Sequence, residues 1–137
     1  MLHEILPVGL LQCNCSILGD EPSGEALVID PGDQADDILE VLQRHKLQVT
    51  GIVVTHAHLD HIGGAQELKA ATGAPVWLHP HDLELCRQLQ AQAMWLGLAT
   101  PQQTEIDVEA REGERLHVGN GELEILHTPG HTQGSIS

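Results

Sequence analysis

Thr55-His56-Ala57-His58-Leu59-Asp60-His61 sets three imidazoles and one carboxylate within six consecutive positions. Immediately before it runs Gly51-Ile52-Val53-Val54, a β-prone stretch that is apolar on consecutive residues. Such a run reads as a strand buried on both faces, over about Val49–Thr55. Neutral imidazole and carboxylate hold zinc, iron or manganese while leaving the metal able to bind water. The segment is therefore read as a metal site just past the carboxyl end of a buried strand.

A second cluster, His127-Thr128-Pro129-Gly130-His131-Thr132, lies far downstream after another β-like run. Pro129 fixes φ and Gly130 relaxes the backbone, so a tight turn can aim His131 back across the strand ends. His131 is read as a ligand, and His127 as a neighbour outside the metal shell. Ligand sites in open α/β sheets sit at the carboxyl edge, where the two clusters can meet.

The remaining chain supplies the sheet and its helices. Leu2–Leu6, Asn14–Leu18 and Ala26–Asp30 read as strands, with turn-forming residues 19–24 between the last two. Pro31-Gly32 breaks the third, and Asp33 is a candidate N-cap for a helix to about His45. Ala35, Ile38, Leu39 and Leu42 give that helix one apolar stripe. A helix over about Ile62–Ala71 and a strand over Ala74–Leu78 follow. Leu83, Cys86, Leu89 and Ala93 mark the inner face of a further helix. Three short β-runs around Ile106–Ala110, Arg115–Val118 and Glu122–His127 come last, with Gly113 and Asn120-Gly121 at the turns. Strands joined by crossover helices and followed by more strands describe a layered α/β protein.

With 137 residues the chain has room for one domain over 1–137. Hydrophobic content of 41% against 19% charged excludes a disordered chain. Two Trp are its only Phe, Tyr or Trp residues, so the core must be aliphatic. A net charge of −14 argues against nucleic-acid backbones and anionic membranes as partners. Charge and composition do not fix an oligomeric state. Cys13, Cys15 and Cys86 form no regular framework; Cys13-x-Cys15 is read as a strand with one inward and one outward thiol. Reduced thiols, and an N-terminus interrupted by Glu4 and Pro7, point to a cytoplasmic protein without signal peptide or membrane span.

These motifs resemble those of the metallo-β-lactamase-fold hydrolase superfamily. The matching residues are Asn14-Cys15-Ser16-Ile17-Leu18, Val28-Ile29-Asp30-Pro31-Gly32, the Thr55–His61 segment with Gly63-Gly64, and Thr128-Pro129-Gly130-His131-Thr132. Within it the chain looks most like the hydroxyacylglutathione hydrolase (glyoxalase II) type. The resemblance implies an αββα sandwich, of which this chain would supply the first half and the start of the second sheet. It implies that His56, His58 and His131 bind a first metal ion and Asp60 and His61 a second, with Asp60 also counted among the catalytic groups. The cofactor would be zinc, up to two ions, with iron or manganese as alternatives. Two ions about 3.5–4 Å apart can share a hydroxide aimed at a carbonyl carbon and stabilise the oxyanion that follows. The implied reaction is hydrolysis of small thiolesters through that metal-bound hydroxide.

The family pattern continues with a bridging Asp and a later His, and neither follows His131 here. The expectation is a fragment of a longer hydrolase that binds at most one metal tightly and turns over poorly. A persulfide dioxygenase using one iron held by two His and a carboxylate is the alternative enzyme. A metal-binding fragment without activity, or one completed by another chain, is the non-enzymatic reading. Asp30 reads equally as a partner of a ligand His or as a turn residue. Gly63 and Gly64 are expected to permit close backbone packing, and His79 and His81 to be surface or capping groups. His3, His45 and His117 carry no signal.

Overall fold

A computed structural model describes all 137 residues. Its main sheet has six strands in sequence order: β1 (Leu2–Val8), β2 (Cys13–Asp20), β3 (Glu25–Ile29), β4 (Gln48–Val53), β5 (Val76–Leu78) and β6 (Val108–Glu109). The β1–β2–β3 meander is antiparallel, and β3 to β6 run parallel. Parallel neighbours need crossovers, and helices provide them. Helix α1 (Ala35–Arg44) joins β3 to β4, and α2 (Leu59–Ile62) with α3 (Ala65–Thr72) joins β4 to β5. A 3-10 turn at Pro80–Asp82, α4 (Leu83–Arg87) and α5 (Leu89–Leu96) follow β5. A separate hairpin, β7 (Arg115–Val118) and β8 (Gly121–Glu124), turns on Gly119-Asn120.

The consecutive apolar residues of β4 explain the layering. Ile52 and Val54 enter the larger core with Ile38, Leu42, Ile62, Leu68 and Leu89 from the helices. Val53, pointing the other way, joins Leu27, Leu116, Val118 and Ile136 on the hairpin side. The central strands are thus covered on both faces, as the mixed α/β reading requires. Each fully buried Leu, Ile or Val contributes about 1.5–3 kcal/mol through water exclusion.

Several local expectations are corrected. Cys13 and Cys15 both point inward, because residues two apart on a strand share a face. The helix expected over 62–71 starts later, as α3 after Gly63-Gly64, and a separate short helix, α2, precedes it. Asp33 does not cap α1; Gln34, in a left-handed conformation, occupies that position, and Asp33 Oδ1 accepts from Gln34 N at 2.8 Å. The helix after β5 is likewise divided, at Gln88, although Cys86, Leu89 and Ala93 do face inward. The Ile106–Ala110 run narrows to two strand residues.

The close-packing reading of the glycines holds. Gly64 N donates to Pro31 O at 2.8 Å. A side chain at Gly32 would put its Cβ 1.7 Å from the backbone oxygen of Asp60. The loop after β3 and the start of α2 therefore touch backbone to backbone, which brings Asp30 beneath the histidine segment.

Candidate metal centre

His56 lies just past the end of β4, after Val54 and Thr55, and its ring is buried. Its Nδ1 lies 3.0 Å from Thr55 Oγ1, while its Nε2 is buried with no hydrogen-bond partner. His58 stands at the N-terminus of α2, with Nδ1 3.1 Å from His131 Nε2. One ligand nitrogen from each of His56, His58 and His131 lies within 4.8 Å of the others. The rings meet edge-on, with centroids 5.0, 4.8 and 4.8 Å apart and interplanar angles of 86°, 88° and 90°. Edge-on rings let three nitrogen lone pairs converge on one point.

Residues 126–137 form a return that carries His131 to this place. Leu126 and Ser137 exchange backbone hydrogen bonds, and Ile136 N donates to Thr55 O at 2.9 Å, docking the return on the end of β4. Asp82 pins it further. This carboxylate is 1% exposed and accepts from Ala57 N (2.9 Å), Thr132 Oγ1 (2.8 Å) and Gly134 N (2.7 Å). Gly134 has no room for a side chain there: its Cβ would sit 2.6 Å from Asp82 Oδ1. Gln92 acts similarly from α5, accepting from Leu59 N and donating to Ala57 O. Together Asp82 and Gln92 hold both flanks of His58.

Asp30 is the partner of His61. Its backbone is left-handed (φ 57°), a conformation that costs a non-glycine residue energy. Its carboxylate accepts from Thr55 N (2.7 Å), Thr55 Oγ1 (2.7 Å) and His61 Nδ1 (2.9 Å). Cys13 Sγ lies 3.4 Å from the same nitrogen. The other side of the ring faces outward, with Nε2 3.3 Å from Asp60 Oδ2. Asp30 thus bonds a histidine of the motif and, left-handed just past β3, also turns the chain there.

Charge state separates these histidines. Burial, followed by the neighbouring His61, lowers His56 to about 4. Burial and then His131 lower His58 below the ordinary histidine value. Burial alone would also lower His61, but its hydrogen bonds to Asp30 and Cys13 outweigh that and hold it up at about 10. In the chain without an ion, His56 is thus a neutral ring and His61 a cation paired with Asp30.

Residues 8–137 match the family model described as the metallo-beta-lactamase superfamily. The chain belongs to that superfamily. An uncharacterized protein of Aquifex aeolicus is 42% identical over 98% of this chain and 63% of its own length. Hydroxyacylglutathione hydrolase GloC of Haemophilus influenzae is 37% identical over 97% of this chain and 63% of its own. The crystal structure of TTHA1623 in a di-iron-bound form superposes with a TM-score of 0.84 at 35% identity, covering 97% of this chain and 64% of that one. The chain thus spans less than two thirds of the length of these relatives.

The superfamily implies metal, and the residues fit one. The buried His56 Nε2 has no hydrogen-bond partner in the protein, and a cation between the three rings would satisfy it. Lowered values at His56 and His58 keep both in the ligating neutral form. Beside Asp60 opens a cleft of about 480 Å³, with Leu10, Leu11, Leu59, Gly63 and Pro101 among its walls. It borders Asp60 rather than the three-His cluster itself. No helix is long and apolar enough to cross a membrane.

His79 departs in part from expectation, and His127 does not join the His56–His58–His131 cluster. His79 is buried, and its Nδ1 accepts from His81 N at 3.1 Å, which is the expected capping role. Yet His79, His81 and His127 also gather into a second three-imidazole group. The only sequence signal was a His-Pro-His turn, which cannot reveal a partner 46 residues onward.

Proposed function

We propose that this protein is a metal-dependent hydrolase of small thiolesters of the hydroxyacylglutathione type. The observation carrying the proposal is the convergence of His56, His58 and His131 around the orphaned His56 Nε2. In this reading those three hold a first ion, and Asp60 and His61 contribute to a second. The metal is zinc, with iron as the alternative; the di-iron relative supports the latter choice. A divalent ion in such a site acidifies water to near neutrality and polarises a carbonyl.

The chain's own residues supply the rest. Asp30 fixes the His61 ring through Nδ1 and so leaves Nε2 facing Asp60. Asp82 and Gln92 hold the backbone on both sides of His58, which sets the distance between the two histidine segments. The cleft at Asp60, with Leu10 and Leu11 on its wall, suits a small acyl group with apolar parts. The acidic surface disfavours polyanionic substrates such as nucleic acids.

The test is hydrolysis of a hydroxyacylglutathione by the purified chain reconstituted with zinc or iron, alongside a β-lactam and a persulfide. Thiolester cleavage that disappears in His58→Ala and His131→Ala supports the proposal. Oxygen uptake on the persulfide with one iron bound, and no thiolester cleavage, would replace it with the dioxygenase reading.

A further inference from the structure

We propose that His79, His81 and His127 form a second transition-metal site, separate from the His56–His58–His131 centre and sharing no residue with it. One nitrogen from each ring lies within 4.8 Å of the other two. His79 and His127 lie face to face, centroids 4.1 Å apart and planes 11° from parallel. His81 stands edge-on to both, at 4.7 and 5.7 Å.

The hydrogen bonds say which nitrogens are available. His127 Nε2 is 2.9 Å from Gln133 O. A carbonyl only accepts, so Nε2 carries the proton and Nδ1 is left with its lone pair. His79 Nδ1 faces a backbone N–H and therefore also presents a lone pair on that side. Coordination through it exchanges the 3.1 Å turn bond for a bond to the ion. His81 is exposed, so its ring is free to rotate in as the third ligand. Nitrogens around a tetrahedral ion at about 2.0–2.1 Å lie about 3.3–3.4 Å apart, so the rings close by at most about 1.5 Å, and the stacked pair turns apart, on binding. No ion pair ties any of the three to a carboxylate.

An all-imidazole set with open positions selects borderline divalent ions such as Zn(II), Cu(II) and Ni(II) over Mg(II) or Ca(II). The position gives the site a role. His79 and His81 belong to the β5–α4 junction, whereas His127 immediately precedes the turn that carries His131. These are the segments that Asp82 already joins through Thr132 and Gly134. An ion here is a second clamp on the return that presents His131.

The experiment uses the chain freed of metal by chelation. Zn(II) uptake is measured by equilibrium dialysis, and Cu(II) ligation by paramagnetic resonance. The His56→Ala/His58→Ala variant removes the first centre. We expect it to bind one ion still, with nitrogen hyperfine coupling on Cu(II). Adding His81→Ala, an exposed position that leaves the core untouched, should weaken that binding about tenfold or more. His127→Ala should do the same independently. Failure of the double variant to bind any ion, or binding unaltered by both His81→Ala and His127→Ala, overturns the second site. Neither result touches thiolester hydrolysis by the first centre, which is read separately in the wild-type chain.

Discussion

Asp30 and His61, 31 residues apart, are joined by a 2.9 Å hydrogen bond from the imidazole Nδ1 to the carboxylate Oδ2. Because the same carboxylate also accepts from Thr55 N and Oγ1, it ties the end of β3, the end of β4 and helix α2 at one point. Asp30→Ala leaves a buried N–H and hydroxyl unsatisfied and frees the His61 ring. We expect a loss of about 2–4 kcal/mol, moderated by the partial exposure of His61. Chemical denaturation of the metal-free chain measures it; a change under about 0.5 kcal/mol would refute the structural role.

The same pair has a pH signature. His61 is raised from 6.5 to about 10 in the folded chain, so its contribution to stability is fully present below 6.5. It is lost as pH rises through about 10. His56 has the opposite sign: its value is lowered from 6.5 to about 4, so the unfolded chain takes up its proton first and stability falls as pH drops from 6.5 toward 4. In nitrogen-resolved NMR of chelator-treated protein at pH 7, His61 should be doubly protonated and His56 neutral. A His61 ring titrating near 6.5 would contradict the assignment.

Asp82 is the residue on which the geometry of the first centre most depends. Its three donors come from residues flanking His58 and following His131. Asp82→Asn keeps the size but replaces one acceptor oxygen with a donor that faces N–H or O–H groups. Metal affinity at the first centre should fall about 10–100-fold, the usual cost of losing a group that orients ligands. Titration with Zn(II) in the His81→Ala background reports that centre without the second cluster. Unchanged affinity there would mean the return is held adequately by Ile136 and Thr55 alone.

What was legible in the sequence was local. The His-x-His-x-Asp-His spacing after a β-run put His56 and His58 at a strand end, and Pro129-Gly130 marked the turn presenting His131. Consecutive apolar residues at 52–54 foretold burial on both faces of β4, and the stripe through Ile38 and Leu42 foretold α1. The residues that sequence reasoning missed act across distance. Asp82 looks like an N-cap, yet it makes no cap bond to α4 and its partners are 25, 50 and 52 positions away. Gln92 looks like a surface residue of a helix, and only the fold shows it bonding Ala57 and Leu59. His79 and His127 could not be paired by periodicity, because no local pattern encodes contact between a strand–helix junction and a distant return.

Gly32 gives the sharpest steric test of how the site is assembled. It lies between Asp30 and α1, and its Cα faces the backbone of Asp60 so closely that an added Cβ would fall 1.7 Å from the oxygen and 2.6 Å from the carbonyl carbon. Backbone cannot rotate away as a side chain would, so Gly32→Ala must push α2 off the loop after β3. Insertion of a methyl group into a packed interior costs about 1–3 kcal/mol even where side chains can yield, and this site should lie at or above the upper end. The displacement moves Asp60 and His61 relative to Asp30, and with them His58 at the start of α2, while His56, past the end of β4, stays in place. We therefore expect Gly32→Ala to lower the melting temperature and to release the His61 ring toward an ordinary titration. Zn(II) binding at the three-His cluster should weaken as well, because His58 moves with α2. A variant with wild-type melting temperature and an undisturbed His61–Asp30 pair would show that the two loops are not in backbone contact.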